Sequence, residues 1–553
     1  MPSPGRVPSA GQGRASPTPT QVPKGLELGI VPRHSSLVTR HLLWGSAVVG
    51  FFSLLSAVSG ILVETSIAAQ LGLSRNSDSF YVAFTIPYII TNLLSATSQF
   101  SLVPFFSTLD SRDSPQGLGR GVSYVVNLVF LGLGLFAAVG ALGAPWLMRG
   151  IAPGFTRPQI ELATQLSRWL FLIIVPAGIA ETFRSFLLSR HSFVLSSAAG
   201  FIRNVVVIAV ILWRFDRYGP FSIVLGYMAG YLLQMLVLGV QIAISFPVRY
   251  SLTLTGSGEA FRRLRGAGTA QLGGAVAWQV VVLAERMIAS FLPAGTLTAV
   301  NYGSKILYTM VELLGGSVGT AALPQLSRAA MNKAHEEERR TFKDIWEISL
   351  FLTFPAVVFC LMLPHNIIRL VFERGHFTPA ATGLMSRVFF YYCLSLLPLS
   401  FIRLLTFYLF ARGESGAFLR LSILLYSLNL GFDLFYVGVL RWGAKGIPLG
   451  LLVASILVCA LSIRRNLGDL RQALGRSEIH FASKNLLGAV LTALAVWALR
   501  LWVAPPQSGF QNFIYLCELC GAGSVAYLAA LAALRVFPLA QATKIWPREE
   551  AKE

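Results

Sequence analysis

The sequence predicts an all-α polytopic membrane protein of about fourteen transmembrane helices: two six-helix lobes related by a repeat, plus two C-terminal helices. Composition is the first ground. Apolar residues fill 54% of the 553 positions and charged ones 13%, and the mean hydropathy is +0.63, far from a soluble domain. Run length is the second: apolar stretches recur at about 20 residues with Gly and Pro inside them, which suits spanning helices rather than the short alternating strands of an outer-membrane barrel. Similarity between the two halves of the chain is the third.

Residues 1–41, rich in Pro, Ser, Gly and Gln and carrying Arg6, Arg14, Lys24, Arg33 and Arg40, are expected to be a disordered basic cytoplasmic tail. The first apolar run begins near Leu42 and outlasts a signal peptide, so cleavage is not expected. Candidate spans at 42–71, 79–106, 122–144, 169–189, 193–214 and 219–245 make the first lobe, 42–246. A basic cytoplasmic loop at 247–268 leads to the second lobe, 269–465, with spans at 269–292, 298–325, 347–364, 383–410, 418–440 and 446–463. A cytoplasmic connection and spans at 484–503 and 512–536 occupy 466–536, and 537–553 is a second cytoplasmic tail.

The net charge of +20 does not point to nucleic acid, because the basic residues gather in the connections between apolar runs. They concentrate in the tails and the even-numbered connections, around Arg249 to Arg265, Arg328 to Lys343 and Arg464 to Lys484, which places both termini in the cytoplasm. The acidic run Glu336, Glu337, Glu338 in the middle one reads as a solvated loop face. Cys360, Cys393, Cys459, Cys517 and Cys520 all lie in apolar runs, and the Cys517–Cys520 pair has no nearby His, so neither a disulfide framework nor a zinc site is indicated.

The repeat is read by laying "IAAQLGLSRNSDSFYVAFTIPYIITNLLSATSQFSLVPFFS" from Ile67 on "IASFLPAGTLTAVNYGSKILYTMVELLGGSVGTAALPQLS" from Ile288, which matches Val103-Pro104 to Leu323-Pro324. The same offset brings "GFTRPQ" after Pro153 onto "HFTPAA" after Gly375 and pairs Arg184 with Arg403. Six spans separate the copies, an even number, so the lobes share one orientation and are related by an axis along the membrane normal. A cleft between such lobes, opened alternately to each side, is how transporters of this build move a solute. There is no GxxxxGK[ST] phosphate loop, so the energy would come from an ion gradient, the membrane potential, a partner or the substrate's own gradient.

Charge inside a span is costly and marks function. The stretch from Glu285 to Ser327 is the strongest case: Lys305, Tyr308, Thr309 and Glu312 share one helical face, expected either to line an internal cavity or to hold a Lys305–Glu312 bridge. Arg203, mid-span in the first lobe, and Lys305 are the candidates to receive an anionic group, phosphate being the natural one for paired cations. Glu285 and Arg286 are adjacent and point in different directions, so each needs another partner. Asn429 and Asp433 sit at i and i+4, and with Glu285 they offer either an all-oxygen site for Na+ or H+ or a hydrogen-bonded clamp. Glu64, Asn92, Gln99, Glu181, Asn204, Gln234, Gln271 and Gln279 complete the polar inventory, while Arg184 and Arg403 are expected to snorkel to the cytoplasmic interface.

The hairpin "NSDSFYVAFTIPYII...VPFFS", "APGF" from Ala152, "IASFLPAGTLTAVNYGSKI", "LPQLS" from Leu323 and "VFERGHFT" from Val371, in that order, resemble the MurJ/MviN family of the multidrug/oligosaccharidyl-lipid/polysaccharide exporter superfamily, over about residues 45 to 535. The resemblance implies a lipid II flippase of the bacterial inner membrane, carrying a peptidoglycan precursor to the outer leaflet, with spans 13 and 14 forming a groove for the polyprenyl tail. It implies substrate contact at Lys305, which matches the family's eighth-span arginine, at Asp78, which opens the second span, and at Asn92. Where the family has further arginines in its first two spans, this chain has Ala57, Val63 and Thr91 or Asn92. In the family's cation site the matching positions are Glu285, Asn429 and Asp433. Membrane lipids and the cell-envelope synthesis machinery are the implied partners, with no cofactor beyond a coupling ion. The readings that compete are export of another polyprenyl-diphosphate-linked saccharide, cation-coupled export of a small molecule, and an inactive envelope scaffold. No nucleophile and base pairing or metal cluster suggests an enzyme.

Overall fold

With no water in the hydrocarbon to satisfy backbone N–H and C=O groups, each spanning segment must bond to itself. The computed structural model describes residues 34–109, 115–246, 248–254, 269–465 and 476–536, and among them the regular structure is all helical. Residues 1–33 of the expected 1–41 tail, the expected tail at 537–553, most of the 247–268 loop, the connection at 466–475 and the side chains of Gln99 and Gln271 lie outside the described residues, while 34–41, expected to be disordered, are helical and continuous with the first span. By contacts the chain divides at Ala47 into two units, the larger running from Val48 onward and holding both lobes.

The first lobe contains α1 (His34–Leu71), α2 (Arg75–Thr97), α3 (Val103–Leu109), α4 (Pro115–Ile151), α5 (Arg157–Ser189), α6 (Phe193–Tyr218) and α7 (Phe221–Ser245). The second contains α8 (Thr269–Ala289), α9 (Thr296–Val311), α10 (Ser317–Met331), α11 (His335–Met362), the short α12 (Pro364–Phe372), α13 (Pro379–Leu394), α14 (Leu396–Ala411), α15 (Ser415–Asp433) and α16 (Gly446–Arg465). Two further helices, α17 (Arg476–Trp502) and α18 (Gly509–Ala533), pack on α11, with Asn366 donating to Asn512 at 2.8 Å and Tyr527 to Asn485 at 2.8 Å to satisfy buried polar groups. Among the described residues twelve helices are long and apolar enough to cross a membrane, and the bent pair α13–α14 makes a thirteenth span. The fourteenth expected span is α8, whose Gln279, Glu285 and Arg286 dilute its apolar character.

Large apolar side chains such as Leu135, Leu142, Trp146, Leu212 and Trp213 face outward, whereas Glu64, Asp78, Asn429 and Asp433 are buried. That distribution suits a lipid solvent, where the outer surface gains nothing from being polar.

Two expected helices are interrupted. The span at 383–410 bends by 49° at Ser395, because Pro398 has no N–H and its ring would collide with the Leu394 carbonyl one turn back. The helix expected from Thr298 to Gln325 opens into a π turn at Glu312–Gly316, and its counterpart in the first lobe opens at Ser98–Leu102, just before Pro104.

The repeat also appears as a two-fold seam at one end of the lobes. The loop after α12 turns through Gly375, at φ +56, onto the backbone of Ala69, and His376 N donates to Ala69 O at 2.7 Å. In the other lobe Gly154 lies on the backbone of Ser290 and donates to its Oγ at 3.2 Å. Ala69 and Ser290 are aligned by the repeat, and Gly154 and Gly375 lie one position apart in it, so each lobe inserts a glycine against the end of the other lobe's first helix. A Cβ at either position would strike main chain, so these glycines permit a close approach of backbones.

Candidate functional site

Below this seam a cavity of about 860 Å³ lies between the lobes. Its walls come from α1, α2, α6 and α7 on one side and α8, α9, α14 and α15 on the other. Of the residues expected to meet substrate, Lys305, Glu312, Arg203, Tyr308 and Asn92 line it. Asp78 does not, and its place is in the seam above.

Asp78 is 2% exposed and sits in the first turn of α2, facing the first turn of α9 from the opposite lobe. Its carboxylate accepts from Gly295 N at 2.6 Å, Thr298 N at 2.9 Å and Thr298 Oγ1 at 2.7 Å. The anion thus serves the unpaired N–H groups of α9 while lying at the positive end of α2 as well. Beside it Ser77 and Thr298, equivalent by the repeat, meet at 3.0 Å, and one turn further in the equivalent rings of Tyr81 and Tyr302 meet edge-on at 5.5 Å. The axis relating the lobes therefore runs between α2 and α9.

Lys305 and Glu312 do not bridge to one another, although they share the expected face. Lys305 reaches across the cavity to Glu64 of α1, whose other oxygen accepts from the Tyr81 hydroxyl at 2.5 Å. Glu312 pairs with Arg403 at 2.9 Å. This corrects the expectation that Arg403 snorkels: it lines the cavity, while its repeat mate Arg184 folds back onto Glu181 of the same helix. The remaining cavity cations have amide and aromatic partners. Arg203 donates to Asn204 Oδ1 at 3.1 Å and lies 4.9 Å from the Tyr231 ring centre. Arg286 donates to Asn301 Oδ1 and lies 5.8 Å from that of Tyr81. Tyr308 packs edge-on against Trp278 at 4.8 Å, and Asn204 is fixed by donating to Ser59 Oγ at 2.9 Å.

A second polar cluster joins α8 and α15 in the second lobe. Asn429 donates to Glu285 Oε1 at 3.1 Å and to Asp433 Oδ2 at 3.2 Å, so the three expected residues do come together. Asn429 Oδ1 and Asp433 Oδ1 are buried with no hydrogen-bond partner among the described residues. Two orphaned oxygens beside a glutamate are the donor set a hard cation or a proton would satisfy. Asp433 is cradled by Gly450 of α16, where a Cβ would collide with the carboxylate.

Sequence reasoning passed over Glu64, Arg286, Arg403 and Trp278 as cavity residues. For Glu64 a signal was present: it stands as far before Ile67 as Glu285 stands before Ile288, so it is the first-lobe copy of the cation-cluster glutamate.

A family model described as "Lipid II flippase MurJ" matches residues 67–516. Among curated proteins, a "Probable lipid II flippase MurJ" of Rhizobium tropici is 26% identical over 439 residues, covering 76% of this chain and 79% of its own. That of Vibrio cholerae serotype O1 is 25% identical over 520 residues, covering 90% and 97%. Among solved structures, "Lipid II flippase MurJ, inward closed conformation" superposes with a TM-score of 0.73 at 18% identity over 88% of this chain and 98% of its own. An inward-facing multidrug resistance MATE family transporter of the MOP superfamily gives 0.62 at 15% identity over 76% and 94%. Likeness at these identities establishes the two-lobed fold.

Proposed function

The chain belongs to the lipid II flippase MurJ family, and from that premise we propose that its central cavity carries the diphosphate head of lipid II across the inner membrane by alternating access. The observation that carries this reading is the cavity itself: about 860 Å³, lined by Arg203, Arg286, Lys305 and Arg403, in a shell whose outside is apolar. A diphosphate-linked saccharide needs such a wet, cationic interior for its head, while its polyprenyl tail stays in lipid. The protein is a transporter and not an enzyme, since the head group crosses without a bond being made or broken. A multi-pass membrane protein with both termini in the cytoplasm would open this cavity inward here, because the seam at Asp78 then faces the periplasm. Cysteines placed at Arg75 and Arg374 are expected to react with an impermeant maleimide from outside; reaction only in inverted vesicles would reverse the orientation.

Glu285, Asn429 and Asp433 would hold the coupling ion, Na+ or H+, which would neutralise two acids on neighbouring helices and so bias the packing of α8 against α15. The test is outward movement of lipid II in cells depleted of their own flippase. This protein should restore it, and Asp433→Asn should change how flux depends on sodium and pH. Failure to restore flux despite good membrane expression would favour another lipid-linked saccharide, and flux indifferent to sodium and pH in both forms would remove the coupling role.

A further inference from the structure

Among the described residues four cations line the cavity, and the structure divides them into two kinds. Lys305 and Arg403 already have carboxylates, Glu64 and Glu312. Arg203 and Arg286 make no salt bridge among the described residues. Each keeps one edge of its guanidinium on a single amide oxygen, of Asn204 or Asn301, and is steadied by a tyrosine ring, of Tyr231 or Tyr81. A guanidinium has five donors in a planar fork, so an arginine engaged this way retains donors for a further acceptor. It is also held in orientation beforehand, which lowers the entropy lost on binding.

The two arginines come from opposite lobes, Arg203 from α6 and Arg286 from α8. We propose that Arg203 and Arg286 together form the diphosphate clamp, one guanidinium from each lobe, and that Lys305 is not a principal ligand of the substrate but a latch between the lobes. This rests on the reading of the cavity as a site for a lipid-linked diphosphate and assigns the groups that select it. A dianionic pair of phosphates offers each fork its own set of oxygens, whereas a monophosphate satisfies only one. The clamp therefore discriminates diphosphate from monophosphate, and it couples occupancy to the lobes because both must be near for both forks to engage. Lys305 offers a point charge that Glu64 already occupies, so recruiting it would leave a 7% exposed carboxylate without its cation.

The test uses the purified full-length protein in phosphatidylcholine nanodiscs, with farnesyl diphosphate and farnesyl monophosphate as probes. Wild type should prefer the diphosphate. Arg203→Gln and Arg286→Gln should each weaken diphosphate binding about tenfold or more, the scale of a lost charged hydrogen bond, and reduce the preference over monophosphate. Arg286→Lys, which keeps charge and bulk, should recover only part of the affinity, a readout that a purely packing role would not produce. The doubly neutral Glu64→Gln/Lys305→Gln variant should lose clearly less affinity than either arginine variant, since it removes no uncompensated charge. Wild-type affinity in Arg286→Gln, or a loss in the double variant as large as in Arg286→Gln, overturns the clamp while leaving the flippase reading standing. If wild type binds neither probe, the diphosphate reading of the cavity falls and the clamp with it.

Discussion

Lys305→Gln is expected to lower both stability and flux far more than Glu64→Gln, and combining the two should recover much of the loss. The asymmetry follows from exposure. The Glu64 side chain is 7% exposed and that of Lys305 41%, so removing the lysine strands a charge with little water, whereas removing the glutamate leaves an ammonium facing an open cavity. Breaking a buried pair from the side that strands a charge costs about 3–5 kcal/mol, and the water reaching Lys305 sets the expectation for Lys305→Gln near 3. Glu64→Gln should cost about 1 kcal/mol, because the amide still accepts from the Tyr81 hydroxyl, now at 2.5 Å from the carboxylate. The double variant restores electroneutrality and should approach the milder single. Unfolding midpoints in detergent together with flux in depleted cells measure this cycle, and additive losses would show that the two side chains are not coupled.

That pair also marks where sequence legibility ended. Composition and run length were enough for the all-α bundle, because a lipid solvent leaves a spanning chain so few options. The repeat was legible because its copies keep Pro104 and Pro324, and the Phe-Thr pairs Phe155-Thr156 and Phe377-Thr378, at matching places. Glu285, Asn429 and Asp433 could be grouped from i, i+4 spacing and a shared lobe, and they do meet. Contacts across the axis could not be read that way. Glu64 meets Lys305, and Asp78 meets Thr298, only because the lobes face one another, and no spacing along one helix encodes that. The sequence accordingly offers Asp78 as a substrate contact, whereas its carboxylate serves the opposite helix. The bend at Ser395 did have a local cause in Pro398, but composition alone gave that proline no more weight than the ones tolerated inside α5 or α11.

Asp78→Asn is expected to open the end of the molecule that the seam closes. The carboxylate presents oxygens to two backbone donors and a hydroxyl, and it lies between the N-termini of a helix from each lobe. An amide of the same size keeps one acceptor and turns an N–H₂ toward either Gly295 N or Thr298 N, setting donor against donor, and it removes the charge that both helix ends favour. Each charged hydrogen bond lost or inverted costs about 1.5–3 kcal/mol, enough to shift a two-state balance by more than tenfold. The rest of the seam, from Gly375 on Ala69 to Gly154 on Ser290, is close backbone contact that depends on the lobes being drawn together and cannot by itself replace the lost attraction. Spin labels on cysteines at Arg75 and Arg374, one in each lobe, should therefore show a longer-distance population in Asp78→Asn, together with reduced lipid II flux, because a transporter held open at one end cannot complete its cycle. An unchanged distance distribution with wild-type flux would mean that the seam is held by its backbone contacts and that Asp78 only caps α9.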